Sequence, residues 1–600
     1  MLLLILLALP LTAGLLLPAA RGGRCPVVAG VLAAMGTLVV AVAVAVERPA
    51  GQVPLLAGVP AGFGVDGLSA VLVVLVAAVL PACLIVAAAE PELRTGRFSG
   101  LMLVFTGAML ATVTATTLAP LLMAWEVMGA TSWALIGYRL DDRGATRAAN
   151  VAFLTTRTAD LGLYVAGGAL LAGGAAAMAL DDTATLDGGW LHLAVAGFVL
   201  AALGKSAQLP FSFWLSGAMR GPSPVSALLH SATMVAAGGY LLLRLAPALE
   251  AAGWAGPLVA WIGVVTALLM GLVAVVQDDL KQLLAASTCS QIGFIVLAAG
   301  TAGTQAGLLQ MVAHAAAKSL LFLIAGLWLA ALGTRSLSGG LRGAAHRHPA
   351  VGASFTVAAL ALAGLPPLGL WMSKDAVLAA AAATSPALYA AGLAAALVAA
   401  CYSGRALWWV WQPAPDTGPH RMRVPMTATA VTAVLAAAAA GAGLLVFGPL
   451  PLHPDPAPHP GELAVSAVLA AVGLLIARRW AARTPAARPP APWLRLEPAA
   501  RRGIARPVLR LAALLARADD QVLARVPERA AHAVLTLARH TDGHGERAVE
   551  GAVSGVADGA RALGRAARRP QTGQLHQYYA QASTGFILLG ALAVVVIVVR

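Results

Sequence analysis

Four lysines stand apart because this chain otherwise uses arginine for its positive charges. Of the 40 basic residues only Lys205, Lys281, Lys318 and Lys374 are lysines, and each lies within or at the end of a strongly apolar segment. A buried ammonium can give up its proton because desolvation disfavours its charged form, whereas arginine stays protonated. The four amines therefore predict a path that loads and releases protons. The alternative is that they reach the membrane surface or form static ion pairs.

Other titratable side chains accompany two of these lysines. His314 precedes Lys318 by four residues, so a helix places both on one face, and histidine titrates near neutral pH. Glu126 is a lone carboxylate in an apolar segment, where an unpaired charge is costly, and Lys205 is the partner that the sequence offers. These pairs are the predicted centre of a proton relay.

Further charged positions leave two interpretations open. Arg157 and Asp160 are three residues apart and share a helix face, either as a static buried pair or as part of a pathway. His230 is either a core histidine or a relay. Lys281 follows two aspartates at 278–279, so a static ion pair is a strong alternative there.

Two of the lysines adjoin predicted helix interruptions. Lys205 is followed by Pro210, and Lys374 is preceded by Pro366, Pro367 and Gly369. Proline removes a backbone donor and breaks or kinks a helix. Within a membrane such breaks are tolerated where they are buried in protein or line a cavity, and broken helices mark transport sites.

The elements that hold these residues are predicted to be membrane-spanning helices. The chain has 600 residues, 59% hydrophobic and 11% charged, with a mean hydropathy of +0.82. This composition excludes an ordinary soluble enzyme and a disordered chain. Apolar runs of about 20 residues, the length that crosses a bilayer, predict an all-α polytopic protein of about 14–16 helices. The predicted spans are 1–20, 26–46, 66–89, 98–116, 118–138, 150–176, 190–215, 222–246, 255–276, 283–300, 306–332, 351–372, 375–412 (broken), 426–448, 462–477 and 582–599.

Loop charge predicts the orientation in the membrane. Arginines follow the first, third and fifth spans at 21–24, 94–97 and 139–147, whereas the loop at 181–187 contains three aspartates and no base. Cytoplasmic loops are enriched in basic residues, so the N-terminus is expected outside. The first 20 residues lack the basic start of a signal peptide and are interpreted as a retained span.

The stretch from residue 478 to 569 differs from the rest of the chain. It contains 18 arginines and 8 acids, a large share of the chain's net charge of +14. Apolar residues recur at helical spacing between the arginines, which predicts a surface helix facing anionic lipid rather than nucleic acid. The alternative is a poorly ordered basic loop, favoured by its prolines, which include those at 489, 490 and 492.

The sequence offers no redox or nucleotide site of its own. Cys25, Cys83, Cys289 and Cys401 are scattered singly, so no spacing typical of zinc, iron–sulfur or disulfide sites occurs. There is also no dinucleotide-binding or P-loop motif. Any redox chemistry or ATP hydrolysis is therefore expected in a partner.

Several motifs are similar to the antiporter-like membrane subunits of respiratory complex I, a family shared with multi-subunit sodium/proton antiporters. They are WEVMGATSWALIGY (125–138), GKSAQLPFSFWLSGAMRGPSPVSALLH (204–230), DDLKQLLAASTCSQIG (278–293), MVAHAAAKSLLFL (311–323) and LAGLPPLGLWMSKDAVL (362–378). The basic segment followed by a last span resembles the L subunit of the bacterial complex. The resemblance implies two inverted five-helix repeats, each with a broken helix, a lateral amphipathic helix and a final anchor.

The resemblance also implies roles for individual residues. Glu126 and Lys205 would form the coupling pair of one half-channel. Lys318 with His314 would connect to Lys374, with Asp375 beside it. His230 and Lys281 would belong to a central polar axis, and Arg157 and Asp160 to its ionic framework. NADH, FMN, iron–sulfur clusters and quinone would be held by partner subunits.

The sequence departs from the family pattern at three places. Gly217 stands where an aspartate is usual, Arg220 follows where a small residue is common, and Gln310 stands where a histidine is usual. Glutamine cannot titrate, so a proton wire through it would need water. These departures indicate a divergent copy of the family.

The sequence predicts that the chain is organised in five parts. The parts are N-terminal helices (1–97), an antiporter-like core (98–412), additional helices (413–477), a basic lateral segment (478–581) and a terminal anchor (582–600).

Three functions are expected from the sequence. The leading one is a proton-translocating complex I subunit in the cell (inner) membrane, with residues 478–570 on the cytoplasmic side. The alternatives are the large subunit of a sodium/proton antiporter and a membrane partner that pumps nothing.

Overall fold

The computed structural model describes residues 1–19, 24–56, 59–413, 423–448, 452–483 and 493–599. Arg21 and the prolines at 489, 490 and 492 lie outside the described residues. The chain divides into two units, Met1–Ala499 and Ala500–Arg600. Both are helical, which confirms the predicted fold class.

The first unit contains the membrane helices that carry the lysines. Its first twelve helices are α1 (Leu2–Leu16), α2 (Arg24–Glu47), α3 (Gly67–Ala87), α4 (Gly96–Thr114), α5 (Leu118–Ile136), α6 (Arg143–Ala172), α7 (Gly188–Lys205), α8 (Phe213–Ala218), α9 (Ser223–Ala227), α10 (Met234–Arg244), α11 (Ala246–Ala251) and α12 (Ala255–Val275). They are followed by α13 (Leu280–Gly300), α14 (Thr304–Leu332), α15 (Ala344–Arg347), α16 (Pro349–Ala363), α17 (Gly369–Thr384), α18 (Pro386–Val410), α19 (Met426–Gly441) and α20 (Pro460–Trp480). Helices α9, α10 and α13 form its most deeply buried part.

The number of crossings agrees with the prediction. Fourteen of the described helical segments are long and apolar enough to cross a bilayer. Helix α6 is also long, at 30 residues, but contains several charged side chains. Helices α16 and α17 are consecutive and separated by only five residues, so together they form one interrupted crossing.

Both predicted interruptions are present. Helix α7 ends at Lys205, and α8 resumes only at Phe213. The span predicted as broken over 375–412 is interrupted at Ser385, between α17 and α18. The second predicted interruption lies at 364–368, before Lys374. The physical reason is local, because Gly364 adopts a left-handed φ of 81° and Pro366 and Pro367 lack N–H groups.

Glycines allow α6 and α7 to approach closely. A Cβ added to Gly162 would lie 2.2 Å from the carbonyl oxygen of Gly197, and one added to Gly204 would lie 2.2 Å from the Cβ of Ala159. Small residues at a helix crossing permit backbone contact within a membrane. The crossing brings the α6 residues near Ala159 against the α7 residue that follows Gly204.

Replacing Gly197 by leucine is expected to separate α6 from α7. Over-packing of a tight contact costs about 1–3 kcal/mol or more, so the thermal midpoint of the purified chain in detergent should fall clearly. Gly189→Leu is the matched control, since Gly189 lies on the same helix and a Cβ there meets nothing within 4 Å. Equal midpoints for the two variants would contradict the close crossing.

A β-hairpin that the sequence did not predict marks one end of the first unit, which we call the hairpin end. Strands β1 (Ala50–Leu56) and β2 (Val59–Gly64) pair antiparallel with Ala50 opposite Gly64. Thr116 N–H donates to the Gly62 carbonyl at 3.0 Å, which attaches the hairpin to the α4–α5 turn. Prolines and glycines in both strands are weak strand formers and gave no strand signal.

The opposite end, which we call the basic end, collects the arginine-bearing loops. Thr95 and Tyr138 share a hydrogen bond of 2.6 Å between the α3–α4 and α5–α6 loops. Asp278 accepts from the Ser336 hydroxyl at 2.6 Å and from the Ser338 N–H at 3.0 Å. Burial by itself would raise the pKa of Asp278, but these hydrogen bonds outweigh it and lower the pKa.

The second unit is helical along almost its whole length. The helices from the junction onward are α21 (Leu496–Ala500), α22 (Arg506–Ala518), α23 (Arg525–His540), α24 (Arg547–Arg568) and α25 (Leu575–Val599). Short π-helical turns join the first four of these. The predicted surface helix is therefore confirmed as a helix, and the alternative of a poorly ordered loop is wrong for its described residues. The last span begins seven residues earlier than the predicted 582.

Candidate functional site

All four lysine side chains lie inside the first unit. Their exposed fractions are 0% for Lys205 and Lys318, 1% for Lys281 and 3% for Lys374. A buried ammonium needs compensating acceptors. Their burial excludes the alternative in which these amines reach the membrane surface.

Lys205, the last residue of α7, pairs with Asp160 of α6. Its Nζ lies 3.1 Å from Asp160 Oδ2 and 5.0 Å from the centre of the Trp125 ring. Trp125 Nε1 donates to the other carboxylate oxygen at 2.7 Å. The pair is thus nearly fully buried and is supported by one indole from α5.

Glu126 and Arg157 form the second ion pair of this half, with different partners from those expected. Arg157 contacts the Glu126 carboxylate, and the Tyr164 hydroxyl donates to the same carboxylate at 3.1 Å. The predicted pairing of Glu126 with Lys205, and the shared pair of Arg157 with Asp160, are therefore wrong. Arg157 and Asp160 share a face of α6 but have different partners, since Arg157 contacts Glu126 of α5 and Asp160 contacts Lys205 of α7.

His230 lies in a π-helical turn between α9 and α10. The turn spans Leu228–Ala232, and both ring nitrogens of His230 lack a hydrogen-bond partner among the described protein atoms. The imidazole lies between Trp214 and Phe322, with ring centres 6.1 and 6.4 Å away. A π turn inserted in a helix is frequent at functional sites.

Lys318 sits at the middle of α14 against α13. Its Nζ donates to the Leu284 carbonyl at 3.0 Å and contacts the Ser287 hydroxyl. His314, one turn earlier on α14, is fully buried and makes no side-chain hydrogen bond. The Lys318 amine is thus held by neutral acceptors, and no carboxylate among the described residues forms an ion pair with it.

Gln310 forms a bridge of amides where the family pattern has a histidine. Its Nε2 donates to Gln291 Oε1 at 3.1 Å, and its Oε1 accepts from the Ser373 hydroxyl at 2.6 Å. Gln291 in turn donates to the Tyr402 hydroxyl at 2.8 Å. This chain of fully buried groups ends beside Lys374, the residue after Ser373.

The break between α16 and α17 supplies the acceptor for Lys374. Its Nζ donates at 2.6 Å to the Leu362 carbonyl, which has no helical donor because Pro366 lacks an N–H. Asp375 accepts from the Ser466 hydroxyl of α20 at 2.6 Å. These side chains line a small cavity of about 10 Å³.

The side chains of Lys281 and Glu90 lie at the basic end. Lys281 Nζ donates to the Gly221 carbonyl at 2.8 Å, while Asp279 caps α13 and pairs with Arg335. Glu90 lies near this amine. Burial raises the pKa of Glu90, and the opposing charges of Arg139 and Lys281 reduce that shift.

Several site residues have types that sequence reasoning does not single out. Trp125, Ser287, Gln291, Ser373 and Ser466 contact the predicted residues but are neutral. Their only signal was a polar group within an apolar helix. Among the described residues no three His, Cys, Asp or Glu side chains are grouped so that they could hold a metal ion.

The part of the chain that contains these residues is similar to a known protein family. Residues 115–399 match the family described as NADH:quinone oxidoreductase/Mrp antiporter, TM. This matched region, which we call the antiporter-family domain, includes α5 to α17 and all ten predicted site residues.

Curated relatives are named as quinone oxidoreductase subunits. The chain is 36% identical over 373 residues to "NAD(P)H-quinone oxidoreductase subunit 5, chloroplastic" of Mesostigma viride, covering 58% of this chain and 57% of that protein. It is 33% identical over 327 residues to "NADH-quinone oxidoreductase subunit L" of Rickettsia conorii, covering 52% and 49%. The chain spans about half the length of the curated relatives it matches.

Solved structures of two kinds resemble the chain. A chain of respiratory complex I from Thermus thermophilus superposes with a TM-score of 0.67 at 26% identity, covering 79% of this chain and all of that one. A chain of the Mrp complex from Dietzia sp. DQ12-45-1b gives 0.63 at 26% identity, covering 99% of this chain and 63% of that one. The antiporter-family domain is therefore similar to chains of both assemblies.

Proposed function

We propose that this chain is a proton-translocating membrane subunit of an NADH:quinone oxidoreductase. The observation that supports it most directly is the set of four buried lysine amines. Three of them donate to backbone carbonyls, and the fourth, Lys205, pairs with Asp160. Residues 98–412 are the translocating core, followed by additional helices, the basic lateral segment and the terminal anchor. NADH, FMN, iron–sulfur clusters and quinone are bound by partner subunits.

In this proposal a proton moves when the pairing between neighbouring polar side chains changes. Lys205 is held charged by Asp160, so weakening that contact lets desolvation expel its proton. His230, with unpaired ring nitrogens, lies between the first half and Lys318. Ser231 of its π turn is 2.6 Å from Ser319, the residue after Lys318. The imidazole and hydroxyls are neutral groups that can accept a proton and pass it on.

The second half begins at Lys318 and His314 and ends at Lys374. The amide bridge of Gln310 cannot carry a net proton, so transfer past it uses water next to Ser373. The cavity beside Lys374 and Asp375 is the exit of this path. The basic end faces the cytoplasm, as the excess of arginine in its loops indicates, and the N-terminus lies outside.

A partner subunit covers the outer face of α5 and α6. The side chains of Glu126 and Arg157 are 32% and 35% exposed halfway along these helices, where lipid would make charged groups costly. A groove of about 420 Å³ lies on the same face, lined by Ala130, Trp133, Asn150, Phe153 and Leu154. A neighbouring membrane-arm subunit would shield the ion pair and fill the groove.

A second candidate function is the large subunit of a multi-subunit sodium/proton antiporter. It is favoured by the Mrp chain, whose similarity extends over 99% of this chain and so includes the basic segment and last span. This function predicts sodium-dependent proton exchange without any electron donor.

The two functions are separated by reconstituting the purified complex into vesicles. The first function predicts that NADH and quinone drive acidification of the lumen, and that a complex lacking this chain loses a large part of it. Adding sodium to vesicles without NADH is the control. Sodium-driven proton movement with no response to NADH would reject the first function in favour of the second.

A further inference from the structure

Trp493 connects the segment before the basic helix to the lysine-bearing core. It lies thirteen residues after the end of α20, and its side chain is only 9% exposed. Its indole Nε1 donates to Gln282 Oε1 at 3.1 Å. A tryptophan that is buried and hydrogen-bonded fixes the segment containing it.

The receiving side chain, Gln282, is fully engaged with α8. The Ser216 hydroxyl donates to Gln282 Oε1 at 2.9 Å, and Gln282 Nε2 donates to the Ser216 carbonyl at 3.0 Å. Trp493 thus completes a three-residue network that joins the start of α13 to the middle of α8.

Lys281, the residue before Gln282 in α13, contacts the loop that follows α8. Lys281 donates to the Gly221 carbonyl, three residues after α8 ends. Helix α8 has only six residues, too few to be stable by itself, so its position depends on tertiary contacts. These include the contacts of Gln282 and Lys281 and the hydrogen bond from Trp214 to the Gly204 carbonyl. A displacement of α8 would remove the carbonyl acceptor from the Lys281 amine.

We propose that Trp493 is a positioning residue for Lys281. Through Gln282 it fixes α8, and α8 in turn controls whether the Lys281 amine is held by the Gly221 carbonyl or is open to the aqueous phase at the basic end. The proposal rests on the proposed proton translocation for its functional consequence, while the positioning of α8 is independent of it.

The test compares Trp493→Phe with Trp411→Phe in the full complex. Both lose an indole donor, and the second removes only a bond of 2.9 Å to Thr356. Amide hydrogen exchange of residues 213–222 is expected to rise roughly fivefold in Trp493→Phe alone, the factor that corresponds to one hydrogen bond. The pH profile of proton translocation is expected to shift in the same variant.

Gln282→Leu provides a second route to the same state. It should increase exchange of residues 213–222 at least as much, and adding Trp493→Phe to it should have no further effect. Unchanged exchange in both single variants would overturn the proposal. Faster exchange with an unchanged pH profile would also overturn it, because α8 would then not control Lys281. If Lys205→Ala leaves translocation intact, the proposed function fails while the exchange data still decide whether Trp493 positions α8.

Discussion

Replacing Lys205 by alanine is expected to reduce NADH-driven proton translocation by at least tenfold. The substitution removes the only amine of the first half that contacts a buried carboxylate in the described structure, Asp160. It also leaves that carboxylate with Trp125 as its remaining side-chain donor. Removing one member of a buried pair costs about 3–5 kcal/mol, so thermal stability should fall too. Proton uptake by reconstituted vesicles measures the first effect.

The double variant Lys205→Ala/Asp160→Ala separates folding from function. Because it leaves no unpaired buried charge, stability should recover relative to Lys205→Ala while translocation stays lost. Arg561→Ala is the control, since its ion pair with Asp558 is well exposed and such pairs contribute about 0–1 kcal/mol. Recovery of translocation in the double variant would contradict a role for the Lys205 amine.

Replacing Lys318 by methionine is expected to abolish translocation through the second half with little loss of stability. Methionine retains most of the side-chain volume and buries no charge. The Leu284 carbonyl keeps the hydroxyls of Ser287 and Thr288 as donors at 3.0 and 2.8 Å. The folded protein should therefore tolerate the change, and vesicle acidification should fall severalfold or more.

Thr288→Val is the matched control for this prediction. It removes a donor from the same carbonyl without removing a group that changes its charge. Translocation close to that of the unchanged protein is expected for Thr288→Val. If the two variants translocate equally well, Lys318 is a structural residue and the relay does not pass through it.

The partners of the charged residues show where sequence reasoning stopped. The sequence indicated two candidate pairs of charged residues in apolar segments, Glu126 with Lys205 and Arg157 with Asp160. It paired them wrongly. Which acid faces Lys205 depends on the rotation and crossing of α6 against α7, and this is set by close contacts such as Gly162 with Gly197.

For the helix interruptions too, the sequence predicted one part and the tertiary structure decided the rest. Pro210, Pro366 and Pro367 indicated two breaks in advance, because a missing N–H acts within one turn of helix. The acceptor role of the Leu362 carbonyl toward Lys374 appeared only in the folded chain. So did the amide bridge at Gln310 and the contact of Trp493 with Gln282.

The sequence by itself determined that the chain spans a membrane with about 14–16 helices, and that a few titratable side chains are buried among them. Hydropathy and residue type are local properties, and a bilayer converts them directly into spans and costly charges. The tertiary structure alone decided which acid meets each amine, which neutral groups link the amines, and where the chain returns to hold α8. These contacts join residues as many as 211 positions apart, and their geometry depends on side-chain packing between helices, which no local pattern encodes.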